Sequence, residues 1–209
     1  MRIAVIGAGN VGSAFGRSAV RAGHDVVLTA AHPEKAQSVA ADIGATAADS
    51  NAAAVQGADV VLLALPGTAA PSVASEIAPS AGGAVIVDAT NPLNETFSGL
   101  AIEGVSGAAD VQERAGGASV VKAFNTVLAS RYANPVESGT PLQVLIAGDD
   151  AAAKGRVADV ATSMGFDPLD AGGLRAARSL EELAFLNITL NAANGWSWQS
   201  AWQLVGPRG

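Results

Sequence analysis

A doubly wound α/β fold with a mostly parallel sheet is predicted for this chain of 209 residues, and three observations predict it. The first is the opening stretch, an apolar run from Arg2 to Ile6 that ends in the closely spaced Gly7, Gly9 and Gly12 and continues at helical spacing. The second is a series of short runs rich in Val, Ile and Leu (25–29, 58–65, 84–88, 118–124 and 142–148), which read as strands buried on both faces. The third is the helical pattern between these runs, the alternation that builds a parallel sheet covered by helices. Together they describe a Rossmann-type domain.

The glycine turn carries the first functional expectation. Gly7 permits a sharp turn out of the strand, Gly9 lets a pyrophosphate approach the backbone, and Gly12 lets the following helix pack closely on the sheet. The free N–H groups at the start of that helix, with the positive end of its dipole, bind anions without a basic side chain. A lone glycine pattern is weak; here it starts two residues from Met1 and leads into a second strand-like run, the context that a dinucleotide site requires.

Composition narrows the remaining classes. Apolar residues make up 49% and charged residues 15%, which excludes a disordered tail and suits one domain, or one large domain with a small appendage. A formal charge of −7 argues against a nucleic-acid or anionic-membrane partner, whereas backbone amides still permit an anionic cofactor. The chain has no cysteine, so disulfides and thiol chemistry are out, and His24 and His32 alone do not make a metal site. No long apolar run suggests a membrane span, and the cytoplasm is the expected compartment.

In order, the first helix covers 10–22 and stops at Ala22-Gly23, and Asp25–Thr29 is the second strand. NAD-binding domains place a carboxylate about 20 residues past the glycines for the ribose hydroxyls. Thr29-Ala30-Ala31-His32 stands there instead, so NADP is favoured over NAD, with Lys35 as the nearest cation and His32 as a hydrogen-bonding partner for a 2′-phosphate. Both are also ordinary residues of a solvated helix start. Pro33 and Glu34 open a helix that runs to Ile43-Gly44; 45–47 is too short to assign, and Asp49 or Ser50 caps a brief helix. The strand 58–65 ends at Pro66-Gly67-Thr68, where Leu65 and Pro66 border a ligand crossing the carboxyl ends of the strands.

A helix over 69–79 and a strand over 84–88 lead to Thr90, Asn91 and Pro92, a polar cluster at a strand end, and 94–107 reads as a long surface loop. Residues 108–115 are weakly helical, and the strand 118–124 leads into Asn125-Thr126. After the strand 142–148, Asp149-Asp150 caps a helix over 151–164, and Pro168 confines 165–170 to a sheet edge. From Leu174 the pattern is helical almost to the end. Asn187, Asn191, Asn194 and Trp198 form a mixed polar stripe for a pocket or a partner chain, and Trp196, Trp198 and Trp202 crowd the last residues, more as core or subunit interface than as cofactor stacking.

Several separated motifs then coincide: Ile6-Gly7-Ala8-Gly9-Asn10-Val11-Gly12, Pro33-Glu34-Lys35, Asp88-Ala89-Thr90-Asn91-Pro92, Val121-Lys122-Ala123-Phe124-Asn125-Thr126, Ala147-Gly148-Asp149-Asp150 and Leu169-Asp170-Ala171-Gly172-Gly173-Leu174. In this order and across nearly the whole chain they resemble the NADPH-dependent F420 reductase family, also called F420-dependent NADP oxidoreductases. STEAP metalloreductase domains share the late motifs, and pyrroline-5-carboxylate reductases the N-terminal half. The resemblance implies direct hydride transfer between NADP and a deazaflavin, coenzyme F420, stacked in a cleft at the carboxyl edge of the sheet. Such a reaction needs positioning rather than acid or base catalysis, and no catalytic side chain is expected. By motif position, the Asn10 and Val11 amides meet the pyrophosphate, Leu65 and Pro66 the nicotinamide side, and Thr90, Asn91, Pro92, Asn125 and Thr126 the redox pocket. These polar groups also suit plain strand-end caps. The family usually carries Ser-Arg or Arg-rich residues where this chain has Ala30-Ala31-His32, which weakens phosphate recognition.

The expectation is a cytoplasmic homodimer with a dinucleotide-binding domain over 1–170 and a C-terminal helical segment over 171–209 that completes the redox pocket. Its partner is a small-molecule redox acceptor. A reductase of a flavin, quinone or imine, and a dinucleotide-sensing module without turnover, stay open as alternatives.

Overall fold

The structure is a computed structural model and describes residues 1–102 and 104–206. Its centre is β1 (Arg2–Ile6), paired in parallel with β2 (Asp25–Thr29) on one side and β4 (Val60–Leu63) on the other. Outward from β2 lies β3 (Thr46–Ala47); outward from β4 lie β5 (Val85–Asp88), β6 (Val120–Lys122), β9 (Gln143–Gly148) and β10 (Asp167–Gly172). Among the described residues these eight strands form one sheet in the order β10-β9-β6-β5-β4-β1-β2-β3. The order reverses between β2 and β4, and the turn after β1 opens at that switch point, where doubly wound sheets bind ligands.

Alternation along the strands distributes the core between two faces. Ile3 and Val5 point to the side of α1 (Asn10–Arg21), α2 (Pro33–Ile43) and α6 (Ala151–Ser163), where Phe15, Ile43 and Val157 are buried. Ala4 and Ile6 point to the side of α3 (Asn51–Val55), α4 (Ala70–Ile77) and α5 (Gly107–Arg114), with Val55, Ile77 and Val111. Caps set the helix starts: Ser50 Oγ accepts from Ala53 N at 3.1 Å, and Asp150 Oδ1 accepts from Ala152 N and Ala153 N at 2.8 and 3.0 Å. Gly44, at φ 77°, closes α2.

Three details go beyond or against the sequence reading. β9 runs antiparallel to β6 and β10 parallel to β9, so the last two strands reverse the sheet direction. Residues 45–47, too short to assign, supply the edge strand β3, and β7 (Val136–Glu137) pairs with β8 (Thr140–Pro141) in a small unanticipated hairpin.

The third detail is a correction. The terminal helix α7 (Ala177–Asn194) does not continue toward the C-terminus; Gly195 adopts φ 62°, Trp196 N donates to Asn191 O at 3.0 Å, and 196–206 follow an irregular path. Local apolar periodicity loses here to a left-handed glycine cap and to tertiary anchors. Ser130 Oγ donates to Trp198 O, Arg131 Nη1 to Gln199 O (3.0 Å), Trp202 Nε1 to Leu183 O (2.9 Å), and Leu204 N to Gln143 Oε1 (2.7 Å). The tryptophans therefore do not share a helix face, and Trp196 and Trp198 remain about half exposed. The expected segment 171–209 ends in three residues outside the described ones. Among the described residues no helix is long and apolar enough to cross a membrane.

Candidate functional site

The turn between β1 and α1 has little freedom. Gly7 sits at φ 117°, and a Cβ there would lie 2.0 Å from Ala64 O; its N–H donates to Thr29 O at 2.9 Å. A Cβ on Gly12 would lie 1.8 Å from Gly7 O, so the first turn of α1 packs directly on the glycine loop. Gly9 differs: a Cβ there would meet nothing within 4 Å, which leaves its backbone open to an incoming group. No acidic side chain lies in the first turn of α1 and no side chain caps it, so the Asn10 and Val11 amides lack an intrahelical acceptor. Those are the requirements of an anion site at a helix N-terminus.

From this turn a cleft of about 370 Å³ extends toward β2, bounded by Gly7, Thr29, Ala30, Leu65, Pro66 and Asn51. Thr29, Leu65 and Pro66, far apart in sequence, thus meet at one place. His32 and Lys35 do not border the cleft; both are exposed, and His32 Nδ1 lies 3.8 Å from Glu34. The reading that no carboxylate stands near the end of β2 needs correction in space. Asp49, beyond β3, and Glu76, on α4, border the same cleft, brought there by strand pairing and helix packing that sequence distance hides.

At the other side of the turn, the ends of β5 and β6 form a second, smaller pocket of about 110 Å³. Asn91 and Asn125 line it and are interlocked: Asn91 Nδ2 donates to Asn125 O at 3.0 Å, and Asn125 Nδ2 donates to Asn91 Oδ1 at 2.9 Å. Thr126 also lines it, and Val11 of α1 joins it to the glycine turn. Pro92 and Thr90 stand behind this wall. Pro92 is buried against Gly107, and a Cβ on Gly67 would come within 2.6 Å of Asn91 O, so the two strand-end loops touch by backbone. Thr90 N donates to Asp88 Oδ1 at 2.9 Å, and among the described residues its buried Oγ1 has no partner.

Phe124 turns the chain into this wall with a φ of 66°, a conformation costing a bulky residue about 1–3 kcal/mol. Packing holds it. Its ring lies 5.1 Å from Phe15, 6.4 Å from Tyr132 and 6.5 Å from Phe166, and burial pushes the Tyr132 phenol well above its ordinary range.

Sequence reasoning missed one group here, Lys122, whose Nζ donates to Asp88 Oδ2 (2.9 Å), Glu181 Oε1 (2.9 Å) and Thr90 O (2.6 Å), with Lys122, Asp88 and Glu181 fully buried. A lysine inside the apolar run 120–124 signals such a group, and the register Asp88↔Lys122 supplies one partner; Glu181 on α7 has no sequence signature. Asn187, a member of the polar stripe expected to face a pocket or a partner chain, lines the small pocket with Ala184 and Ile188 from α7. The expected stripe on this helix divides: Asn187 and Asn191 are buried and bonded to Ser200 of the tail, whereas Asn194 is exposed and donates to Leu190 O at 2.8 Å.

A wider open groove of about 560 Å³ between α4 and α5, lined by Thr68, Ser72, Asp110 and Arg114, shares only Glu76 with the cleft and does not reach the glycine turn. Among the described residues no cluster of three or more His, Asp or Glu side chains could hold a metal ion.

Comparison with known proteins agrees with this layout. The family model described as NADP oxidoreductase, coenzyme F420-dependent, matches residues 2–92. The solved structure of a candidate F420-dependent NADP reductase from Arthrobacter sp. FB24 superposes with a TM-score of 0.81 at 29% identity, covering 92% of this chain and 94% of that one. A hypothetical protein from Sinorhizobium meliloti gives 0.76 at 31% identity, covering 85% and 88%. Metalloreductase STEAP3 of Rattus norvegicus is 46% identical over 66 residues, which are 31% of this chain and only 13% of the rat protein. With the glycine turn, the doubly wound sheet and a relative similar along most of both chains, the protein belongs to the coenzyme F420-dependent NADP oxidoreductase family.

Proposed function

We propose that the chain transfers a hydride between NADP(H) and a deazaflavin of the coenzyme F420 type. The observation that carries this reading is Val11, which belongs to the first turn of α1 and also lines the Asn91–Asn125 pocket. A dinucleotide with its diphosphate on the α1 amides and its adenosine in the larger cleft would reach that pocket with its nicotinamide. The residues fit the group: Gly9 is open where a phosphate needs backbone, and the pocket wall holds a buried acceptor, Asn125 Oδ1, that has no partner among the described residues.

The nicotinamide, when bound, supplies the transferable hydride and the acceptor ring receives it. The chain's own part is positional. The Asn10 and Val11 amides hold the diphosphate, Leu65 and Pro66 border the dinucleotide in the larger cleft, and Ala184 and Ile188 keep water from the ring face. Among the described residues no titratable side chain lines the small pocket. At about 110 Å³ this pocket holds one six-membered ring with its amide, whereas larger ligands need roughly 300 Å³ or more, so a fused tricyclic acceptor would stack across its mouth.

Mixing the protein with NADPH and oxidised F420 and following both absorbances tests the proposal. Equimolar loss of both signals supports it; unchanged absorbances with NADPH binding intact refute it, and turnover with FMN but not F420 reassigns the acceptor. A homodimer remains part of this reading, supported by the half-exposed Leu186, Trp196 and Trp198. A monomer by light scattering at micromolar concentration would remove it.

A further inference from the structure

Two buried amides in the wall of the small pocket each leave one polar atom without a partner among the described residues. Asn125 Nδ2 donates both hydrogens, to Asn91 Oδ1 at 2.9 Å and to Leu180 O at 3.0 Å, so its orientation is set and Oδ1 is left as an acceptor without a donor. Asn187 is fixed the opposite way. Its Oδ1 accepts from Ser200 Oγ at 2.6 Å and from Asn191 Nδ2 at 3.1 Å, which leaves Nδ2 as a donor without an acceptor. Both residues line the same pocket, are at least nine-tenths buried and come from different parts of the fold, the turn after β6 and the middle of α7. Buried polar side-chain atoms are nearly always satisfied, and an unpaired acceptor and donor in one small pocket describe a missing ligand with one donor and one acceptor. A primary carboxamide is such a group.

We infer that Asn125 and Asn187 together read the carboxamide of the nicotinamide, Asn125 Oδ1 accepting from its N–H and Asn187 Nδ2 donating to its carbonyl. The inference rests on the proposed NADP site and adds to it Asn187 and, behind it, Ser200. Two bonds to one planar amide fix the rotation of the attached ring about its bond to the ribose, and so decide which ring face is turned to the acceptor. Ser200 and Asn191 hold Asn187 in orientation, which ties the tail after α7 to this contact.

The test measures binding rather than turnover, using NADP⁺, its 3-acetylpyridine analogue, in which a methyl group replaces the amide nitrogen, and 2′-phospho-ADP-ribose, which lacks the ring. The wild-type protein should bind NADP⁺ about tenfold more tightly than the analogue, the scale of one buried acceptor left unpaired. Asn125→Leu should abolish this preference. Asn187→Leu should weaken both by about tenfold and keep the preference, because both retain the carbonyl. Ser200→Ala should weaken both by a smaller factor. All three variants should bind 2′-phospho-ADP-ribose as the wild type does, which separates loss of the contact from loss of the fold. Equal wild-type affinity for NADP⁺ and its analogue, or a preference that survives Asn125→Leu, overturns the inference while leaving the NADP site standing. Failure of the wild type to bind 2′-phospho-ADP-ribose overturns the NADP site itself, and this inference with it.

Discussion

Replacing Lys122 by methionine keeps an unbranched side chain of nearly the same length and removes its charge. All three ammonium hydrogens are used, at 2.6–2.9 Å, on Asp88, Glu181 and the Thr90 carbonyl, and none of the three side chains in the cluster reaches solvent. Among the described residues each carboxylate has one further donor, Thr90 N at 2.9 Å for Asp88 and Gly107 N at 3.3 Å for Glu181, so removing the lysine leaves two buried carboxylates with one such backbone bond each. Breaking a buried pair from one side costs about 3–5 kcal/mol, and here two pairs lose their common cation, so Lys122→Met should lie at the upper end of that range. At about 5 kcal/mol, for a chain of this size, this corresponds to a fall in Tm of roughly 10–20 °C, and to much of the 5–15 kcal/mol that a typical domain has in total. Urea unfolding should show a lower midpoint with an unchanged slope. The triple variant Lys122→Met, Asp88→Asn, Glu181→Gln should recover part of the loss, because no buried charge remains to be compensated. A midpoint for Lys122→Met within the error of wild type, or a triple variant less stable than the single one, would refute the reasoning.

Three other outcomes follow from particular residues. Gly7→Ala, which puts a methyl group 2.0 Å from Ala64 O at a φ of 117°, should destabilise the protein and weaken every dinucleotide, as measured by thermal melting and NADPH titration. Asp49→Asn removes a negative charge from the cleft and should tighten NADPH relative to NADH by a few-fold at low salt, an effect that fades as ionic strength rises; Lys35→Ala should change this ratio less, since Lys35 is exposed outside the cleft lining. Backbone N–H bonding, first from Ala153, holds the Asp150 carboxyl below its ordinary value of 3.8. A depressed native pKa contributes stability that is complete above 3.8 and is lost as pH falls through the native value, so stability plotted against pH should flatten below 3.8 in Asp150→Asn.

How far the residues could be read in advance differs from place to place. The β1 turn was legible because Gly7, Gly9 and Gly12 act locally: one needs positive φ, one an open backbone and one close packing on its neighbour, and all lie within six residues. Strand runs such as 60–63 and 85–88 were legible because strands buried on both faces are continuously apolar. The reversed direction of β9 was not, since a buried apolar run looks the same in either direction. The end of α7 was misjudged because the tail after Gly195 is placed by distant partners, Ser130, Arg131 and Gln143, rather than by its own periodicity.

Sequence alone was enough to establish a doubly wound sheet, a turn built for a dinucleotide and the motifs Thr90–Pro92 and Phe124–Thr126, because each depends on residues adjacent along the chain. Tertiary structure decided what those motifs face. Only folding brings Asn125 against Asn91 and Leu180, sets Asn187 opposite through Ser200, buries Lys122 between Asp88 and Glu181, and carries Asp49 and Glu76 to the cleft that His32 and Lys35 leave to solvent. The physical reason is that a hydrogen bond or an ion pair depends on angstrom-scale separation in space, and sequence spacing determines that separation only within a turn, a strand or a helix.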